Sequence, residues 1–304
     1  MANRDSTAAV RSAAPFAPSS SGEPACERSE PFAGQRRPWS TAIDSSEFRL
    51  FAKALAAPLY HRLRVGEGGL FVVNATLALK GHPVGEALGL AVTSLVCLLS
   101  LYLFNDIIDA RDDQHNPKKD HLLAGFYVRE RRAFLVSWLL MSGLAVVASA
   151  WLDARAAVWV LAVSLINVAY SLFCKKVPLL DVVWVGVWGG AYASIVTDAA
   201  AWVVMVGAMT AVCHIYQISE DRDADAASGF ATSAMLAAPL RSLLQAVLTG
   251  MLVATAWTLT PDAVALTFVA FFAYWLAWHN RPRTAWILAK AHFSVVWAYL
   301  LLRG

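Results

Sequence analysis

The run "GLAVTSLVCLLSLYLF" (residues 89–104) contains no charged residue, and "NDIIDARDD" (residues 105–113) follows it at once. The first stretch is apolar enough to form most of a membrane-spanning helix. The second stretch places Asp106, Asp109, Asp112 and Asp113 within little more than two helical turns. Together they predict a membrane helix that ends in a concentrated negative charge.

The whole chain has the composition of an integral membrane protein. It is 304 residues long, 58% hydrophobic and only 15% charged, with a mean hydropathy of +0.51. Soluble domains contain about 45–50% apolar and about 25% charged residues. The formal net charge of +3 is too small to indicate nucleic-acid binding.

Apolar segments long enough to cross a membrane recur along most of the chain. They predict an all-α integral membrane protein, a bundle of about nine transmembrane helices around a central apolar cavity. The predicted spans are 67–86, 88–104, 133–151, 156–174, 181–197, 199–219, 236–257, 262–279 and 284–302. Residues 1–48 are rich in Ser, Ala, Pro and Gly and predict a disordered tail, which leaves 49–304 as the membrane domain.

The distribution of Lys and Arg predicts how the bundle is oriented. With the N-terminus in the cytoplasm, the inner loops hold eleven Lys or Arg residues and the outer segments hold three. Basic residues concentrate in cytoplasmic loops. We therefore expect a multi-pass protein of the cell (inner) membrane, surrounded by membrane lipid, with its acidic loops on the cytoplasmic side.

A second acidic cluster, "EDRDADAASG" (residues 220–229), follows the sixth predicted span. Asp221 and Asp225 are spaced i, i+4, just as Asp106, Asp109 and Asp113 are spaced i, i+3, i+7, so each set shares one helix face. Like charges so close repel unless a cation relieves them. Carboxylate oxygens with phosphate oxygens suit Mg²⁺, although acidic residues can also simply end a span in a solvated loop.

Polar residues in the spans lie on the same faces as these acids. Such residues usually face a bundle interior. A single His, however, is more often a core residue that is hydrogen-bonded within the protein than a ligand. Gly186 and Gly190 are four residues apart, a spacing of small residues that indicates close helix packing and not a ligand-binding loop. The predicted substrate-binding residues inside or beside the spans are Tyr102, Asn105, Asn167, Tyr170, Ser171, His214 and Gln217.

The motifs resemble those of the UbiA superfamily of intramembrane prenyltransferases. "NDIIDARDD" matches the pattern N-D-x-x-D-x-x-x-D, and "DRDADAASG" resembles the second motif of that family. "AYSLFCKKVPLLD" (residues 169–181) is similar to the family's Tyr-Ser…Lys segment. The resemblance covers roughly residues 50–304 and implies a nine-helix fold with both motifs on the cytoplasmic side.

The resemblance implies Mg²⁺-dependent transfer of an isoprenyl group from an isoprenyl diphosphate to a small lipophilic or aromatic acceptor. The residues that would hold a pair of Mg²⁺ ions are Asp106, Asp109, Asp113, Asp221 and Asp225. Lys118, Lys119 and Lys175 would contact the phosphate oxygens. The chain departs from the family where Asp120 and His121 replace a frequent Arg-Pro, so Lys118 and Lys119 are expected to carry more of the diphosphate binding.

Two other functions share these features. A terpene cyclase on the same scaffold would need the same metal site but no separate acceptor. A transporter or lipid-binding protein would bind ions without breaking a bond, but transporters usually hold ions near the bilayer midplane. The acids of this chain cluster at the ends of spans, which favours the prenyltransferase.

Overall fold

The computed structural model describes residues 48–49, 51–56, 69–114, 119–227, 229–259 and 264–303. A π-helical turn, Tyr170–Cys174, extends the helix Ala154–Ala169, and a 3-10 turn, Ser233–Met235, precedes the helix Ala238–Leu259. No strand occurs in these ranges. The α-helices are α1 (Gly69–Gly81), α2 (Val84–Asp113), α3 (His121–Arg129), α4 (Arg131–Leu152), α5 (Ala154–Ala169), α6 (Leu180–Ala193), α7 (Ala200–Ala227), α8 (Ala238–Leu259), α9 (Val264–Trp278) and α10 (Pro282–Arg303).

The predicted all-α class is confirmed for the described residues. Each predicted span overlaps one α-helix, except that 67–86 contains α1 and also reaches the first three residues of α2. Within the described part of the chain, five helices are long and apolar enough to cross a membrane by length and composition: α2, α4, α5 with its π turn, α7 and α8. The others are shorter or less apolar, so the count of about nine crossing helices stays a prediction. The predicted tail, residues 1–48, lies outside the described residues apart from Phe48.

Close backbone contact joins α6 to α7. A Cβ atom on Gly207 would lie 2.8 Å from the Gly186 carbonyl oxygen, and one on Gly190 would lie 3.3 Å from the Val203 carbonyl oxygen. Side chains at these positions would therefore force the helices apart. The prediction that Gly186 and Gly190 serve helix packing is confirmed.

Buried polar side chains tie α1 and α6 to α2. The Asn74 amide donates to the Tyr192 carbonyl oxygen at 2.8 Å, and the Tyr192 hydroxyl donates to the Ser94 carbonyl oxygen at 3.0 Å. Both side chains are fully buried. Asn74 interrupts the first predicted span, and the hydrogen bond from its side-chain nitrogen offsets part of the cost of its burial.

A smaller apolar cluster covers α2 beside its acidic end. The rings of Phe51 and Phe134 stack with centroids 5.0 Å apart, and the Tyr127 hydroxyl donates to the Ala54 carbonyl oxygen at 2.6 Å. Burial, together with the negative charge of Asp106, raises the pKa of Tyr127 above its usual value. This cluster anchors α3 and residues 51–56 next to the first acidic motif.

Candidate active site

The first acidic motif forms the last turns of α2, because the helix continues unbroken to Asp113. Asp106, Asp109 and Asp113 are half-buried. Asp112 is more exposed and lies 3.4 Å from the Lys176 ammonium group, from its Oδ2 to Nζ. The predicted separation of Asp112 from the other three acids therefore agrees with the structure.

The π-helical turn at Tyr170–Cys174 brings the Tyr-Ser…Lys segment against this acidic end. Its widened ring is closed by the Lys175 amide, which donates to the Tyr170 carbonyl oxygen at 2.9 Å. Single π turns inside α-helices occur frequently at functional sites. Here the turn allows Ser171 to donate to the Asn105 side-chain oxygen while Lys175 reaches Asp109.

Lys175 and Asp109 form a direct ion pair in the site. The Lys175 ammonium donates a hydrogen bond to Asp109 Oδ2. Burial alone would lower the pKa of Lys175, but the charges of Asp109 and Asp113 and this hydrogen bond contribute to raising it above its usual value. Lys175 is therefore a fixed positive charge beside the first motif.

The loop after α2 supplies another cation, and its acidic residue has a local structural role. Lys119 Nζ lies 3.5 Å from Asp113 Oδ2. Asp120 caps α3 by accepting a hydrogen bond from the Leu123 amide at 3.1 Å. Lys118 lies outside the described residues. Asp120, which replaces the expected Arg, thus has a structural role here, because aspartate is a favourable N-cap residue.

The second acidic motif lies on the last turns of α7, which runs to Ala227. Asp221 and Asp225 are half-buried, whereas Arg222 and Asp223 are exposed, which agrees with the prediction that Asp221 and Asp225 share one helix face. Gln217 is half-buried one turn before Asp221.

Tyr170, in the π turn, contacts α7. Its hydroxyl oxygen is 3.3 Å from His214 Nε2 on α7. His214 lies two helical turns before Asp221 on α7, so this contact joins the π turn beside the first motif to the helix that carries the second.

Two other predicted substrate-binding residues make contacts inside the bundle. The Asn167 amide donates to the Leu101 carbonyl oxygen at 3.0 Å, which joins α5 to α2. The Tyr102 ring packs against Trp188 with centroids 6.5 Å apart. Their contact with a substrate stays a prediction.

The donor set suits a hard cation. Carboxylate oxygens are ligands that Mg²⁺ prefers. The Lys175 ammonium group contacts the Asp109 carboxylate, so a positive charge fits at this position. Among the described residues, no three His, Cys, Asp or Glu side chains are grouped so as to hold a metal by themselves. Mg²⁺ is usually held by one or two carboxylates, water and phosphate oxygens, so the predicted metal ligands stay a prediction.

Sequence reasoning did not identify two contacts at this end of the bundle. Lys176 Nζ lies 4.0 Å from the centroid of the Phe230 ring, and the buried Asp181 is hydrogen-bonded to Ser233. These residues are 54 and 52 positions apart along the chain. A Pro between Lys176 and Asp181 indicates a loop, but no sequence signal reveals the partner of either residue.

The chain is similar to known proteins both in sequence and in fold. The model of the UbiA prenyltransferase family matches residues 69–302. A solved apo structure of a UbiA homolog from Aeropyrum pernix K1 is 17% identical, with a TM-score of 0.62, covering 78% of this chain and 97% of that one. No curated protein matches the chain.

Two solved structures of a UbiA homolog from Archaeoglobus fulgidus are also similar, each at 15% identity over 78% of this chain. One is bound to DMAPP and Mg²⁺, with a TM-score of 0.56 and 97% of that chain covered. The other is bound to GPP and Mg²⁺, with a TM-score of 0.55 and 98% of that chain covered. At these identities the comparison demonstrates a shared fold.

Proposed function

The chain belongs to the UbiA prenyltransferase family, and from this premise we propose that it is a Mg²⁺-dependent intramembrane prenyltransferase. It moves an isoprenyl group from an isoprenyl diphosphate to a small lipophilic acceptor, most simply an aromatic one, and releases diphosphate. The binding of DMAPP and GPP with Mg²⁺ by structurally similar homologs supports this donor class.

The ion pair between Lys175 and Asp109 is the main observation that supports the proposal. It places a charged ammonium group against a carboxylate at the end of a long apolar helix. A diphosphate with bound metal needs both kinds of group, because its oxygens bind cations and its metal binds carboxylates. Tyr170 connects this pair to α7, which carries the second acidic motif.

The residues of the chain then have separate tasks. Asp106, Asp109, Asp113, Asp221 and Asp225 would hold the metal. The Lys175 ammonium would donate to the phosphate oxygens. Mg²⁺ held by these carboxylates would supply positive charge that neutralises the departing diphosphate. The apolar faces of the bundle would exclude water from the isoprenyl chain.

The reaction follows from this arrangement. The C1–O bond of the donor breaks, and its electron pair leaves with the diphosphate. An electron-rich carbon of the acceptor donates an electron pair to C1 and afterwards loses a proton. Aromatic faces such as those of Tyr102 and Tyr170 would stabilise the allylic cation. With both acidic motifs on the cytoplasmic side, diphosphate is released into the cytoplasm from an enzyme of the cell membrane.

Product analysis tests the proposal. Purified protein in nanodiscs is incubated with Mg²⁺ and dimethylallyl, geranyl or farnesyl diphosphate, with and without a panel of phenolic acceptors. We expect diphosphate release and a prenylated acceptor identified by mass. A cyclised hydrocarbon formed without acceptor would assign a cyclase instead. Absence of bond cleavage with every donor would contradict both activities, and Asp109→Asn controls for contaminating phosphatases.

A further inference from the structure

Asp181 is a buried carboxylate that belongs to neither acidic motif. It lies in the first turn of α6 and has no exposed surface. A buried charge is unfavourable unless hydrogen bonds compensate for the lost water. Its partners therefore reveal what it holds in place.

Ser233 provides most of this compensation. Its backbone amide donates to Asp181 Oδ2 at 2.7 Å, and its hydroxyl donates to Asp181 Oδ1. The Val182 amide donates to Oδ1 at 2.9 Å. The Ser233 hydroxyl oxygen also accepts a hydrogen bond from the Leu179 amide at 2.8 Å. Leu179, Asp181 and Ser233 form what we call the loop clamp.

The loop clamp includes a residue in an unfavourable backbone conformation. Leu179 has a φ of 72°, in the left-handed region that non-glycine residues rarely adopt. Its amide is held there by Ser233. Such a conformation persists only when surrounding contacts determine it.

Each of the two segments joined by the loop clamp carries part of the site. Residues 175–181 begin with Lys175, the partner of Asp109. Residues 229–233 follow the end of α7, which carries Asp225, and the Phe230 amide donates to the Asp225 carbonyl oxygen at 2.9 Å. The Lys176 ammonium over the Phe230 ring, at 4.0 Å, is a second contact between the same segments.

We propose that Asp181 is a positioning residue of the diphosphate site, acting through Ser233. It holds the segment bearing Lys175 at a set distance from the segment that follows the second acidic motif. The inference rests on the proposed function, because a diphosphate with its metal must contact both sides at once. Groups that are already in place bind such a ligand more tightly than groups that must be ordered on binding.

Binding of geranyl diphosphate in the presence of Mg²⁺, measured by calorimetry on the purified full chain, tests the inference. Ser233→Ala removes the hydroxyl that joins Leu179 to Asp181. We expect the dissociation constant to rise by about tenfold, as for the loss of one hydrogen bond to a charged group. Ser233→Thr keeps the hydroxyl and should restore binding.

Ser149→Ala is the matched control. Ser149 is as fully buried as Ser233. Its hydroxyl donates to the Ala145 carbonyl oxygen within the same helix, near the C-terminal end of α4. Its loss should lower the thermal midpoint without ligand but leave the dissociation constant unchanged. If Ser233→Ala does not fold, Asp181→Asn is the second variant, because it preserves volume and one acceptor while losing the partner of the Ser233 amide.

The outcomes separate the two claims. Failure of the wild-type protein to bind geranyl diphosphate with Mg²⁺ would contradict the proposed function itself. Binding by wild type with equally tight binding by folded Ser233→Ala or Asp181→Asn would overturn only the positioning role. Equal weakening in Ser149→Ala would do the same, because it would assign the effect to general loss of stability.

Discussion

The Lys175 ammonium donates a hydrogen bond to the carboxylate of Asp109, so a residue after the π turn of α5 is joined to the end of α2. The Lys175 charge thereby occupies a position against a predicted metal-binding carboxylate. Mg²⁺ arriving alone would compete with this charge. Mg²⁺ arriving with a diphosphate would not, because the phosphate oxygens offer Lys175 another partner.

Replacing Lys175 should therefore change two affinities in opposite directions. In Lys175→Gln, Mg²⁺ or its paramagnetic substitute Mn²⁺ should bind without diphosphate about tenfold more tightly, because a repelling charge is gone. Geranyl diphosphate with Mg²⁺ should bind at least about tenfold more weakly, because a charge-assisted hydrogen bond is lost. Paramagnetic resonance of Mn²⁺ and calorimetry measure the two constants.

Lys80→Gln is the control for the change in net charge. Lys80 lies exposed in the last turn of α1, before α2 begins, and neither constant should change in this variant. Weaker binding of both Mn²⁺ and geranyl diphosphate by Lys175→Gln would contradict the competition between Lys175 and the metal.

The two acidic motifs should act as one unit. Asp109→Asn and Asp221→Asn are nearly isosteric, and each should lower kcat by on the order of 100-fold through loss of a metal-ligand charge. The double variant should be little worse than either single one, because residues that act together are not additive. Diphosphate release is measured against Mg²⁺ concentration.

Asp223→Asn is the internal control for this experiment. Asp223 is exposed on α7 between the half-buried Asp221 and Asp225, so its neutralisation should leave release unchanged. Normal release from either the Asp109 or the Asp221 variant would separate the two motifs and refute the shared site.

The lysines after α2 should contribute to donor binding. Lys119 lies 3.5 Å from Asp113, and Lys118 precedes it. Changing both to Ala should raise the KM for geranyl diphosphate by about tenfold, with a smaller effect on kcat, because charge-assisted contacts are lost. Arg131→Ala with Arg132→Ala removes two exposed cations at the start of α4 and should leave KM unchanged. An unchanged KM in the lysine variant would leave those residues only a role in topology.

Asp120 should matter for stability through its cap on α3. Asp120→Ala should lower the free energy of unfolding by about 1 kcal/mol, whereas Asp120→Asn should be nearly neutral. Thermal unfolding in detergent compares the two variants. Equal midpoints for Asp120→Ala and wild type would contradict the capping role.

Membrane topology is predicted by the distribution of Lys and Arg. A single Cys introduced at Asn116 should be labelled only from the cytoplasmic side, and one at Gly304 only from the outside. Impermeant maleimides applied to intact cells and to inverted vesicles measure this. Labelling of both positions from one side would contradict an odd number of spans.

The class of fold and the candidate acids could be predicted from local features of the sequence. The spacing of Asp106, Asp109 and Asp113 and of Asp221 and Asp225 depends only on helical periodicity, which is a local property. The helices α2 and α7 do continue through both motifs. The family resemblance, carried by the same residues, is confirmed by the family model.

The partners of these acids were decided by the tertiary structure. Lys175 and Asp109 are 66 positions apart, as are Ser171 and Asn105. No periodicity predicts such pairs, because they depend on how α5 packs against α2 and on the π turn that redirects its end. Asp181 appeared in the sequence as the first residue of a span, and only the fold reveals that it holds Ser233, 52 residues away. Local spacing places side chains on a helix face, but helix packing decides which faces meet.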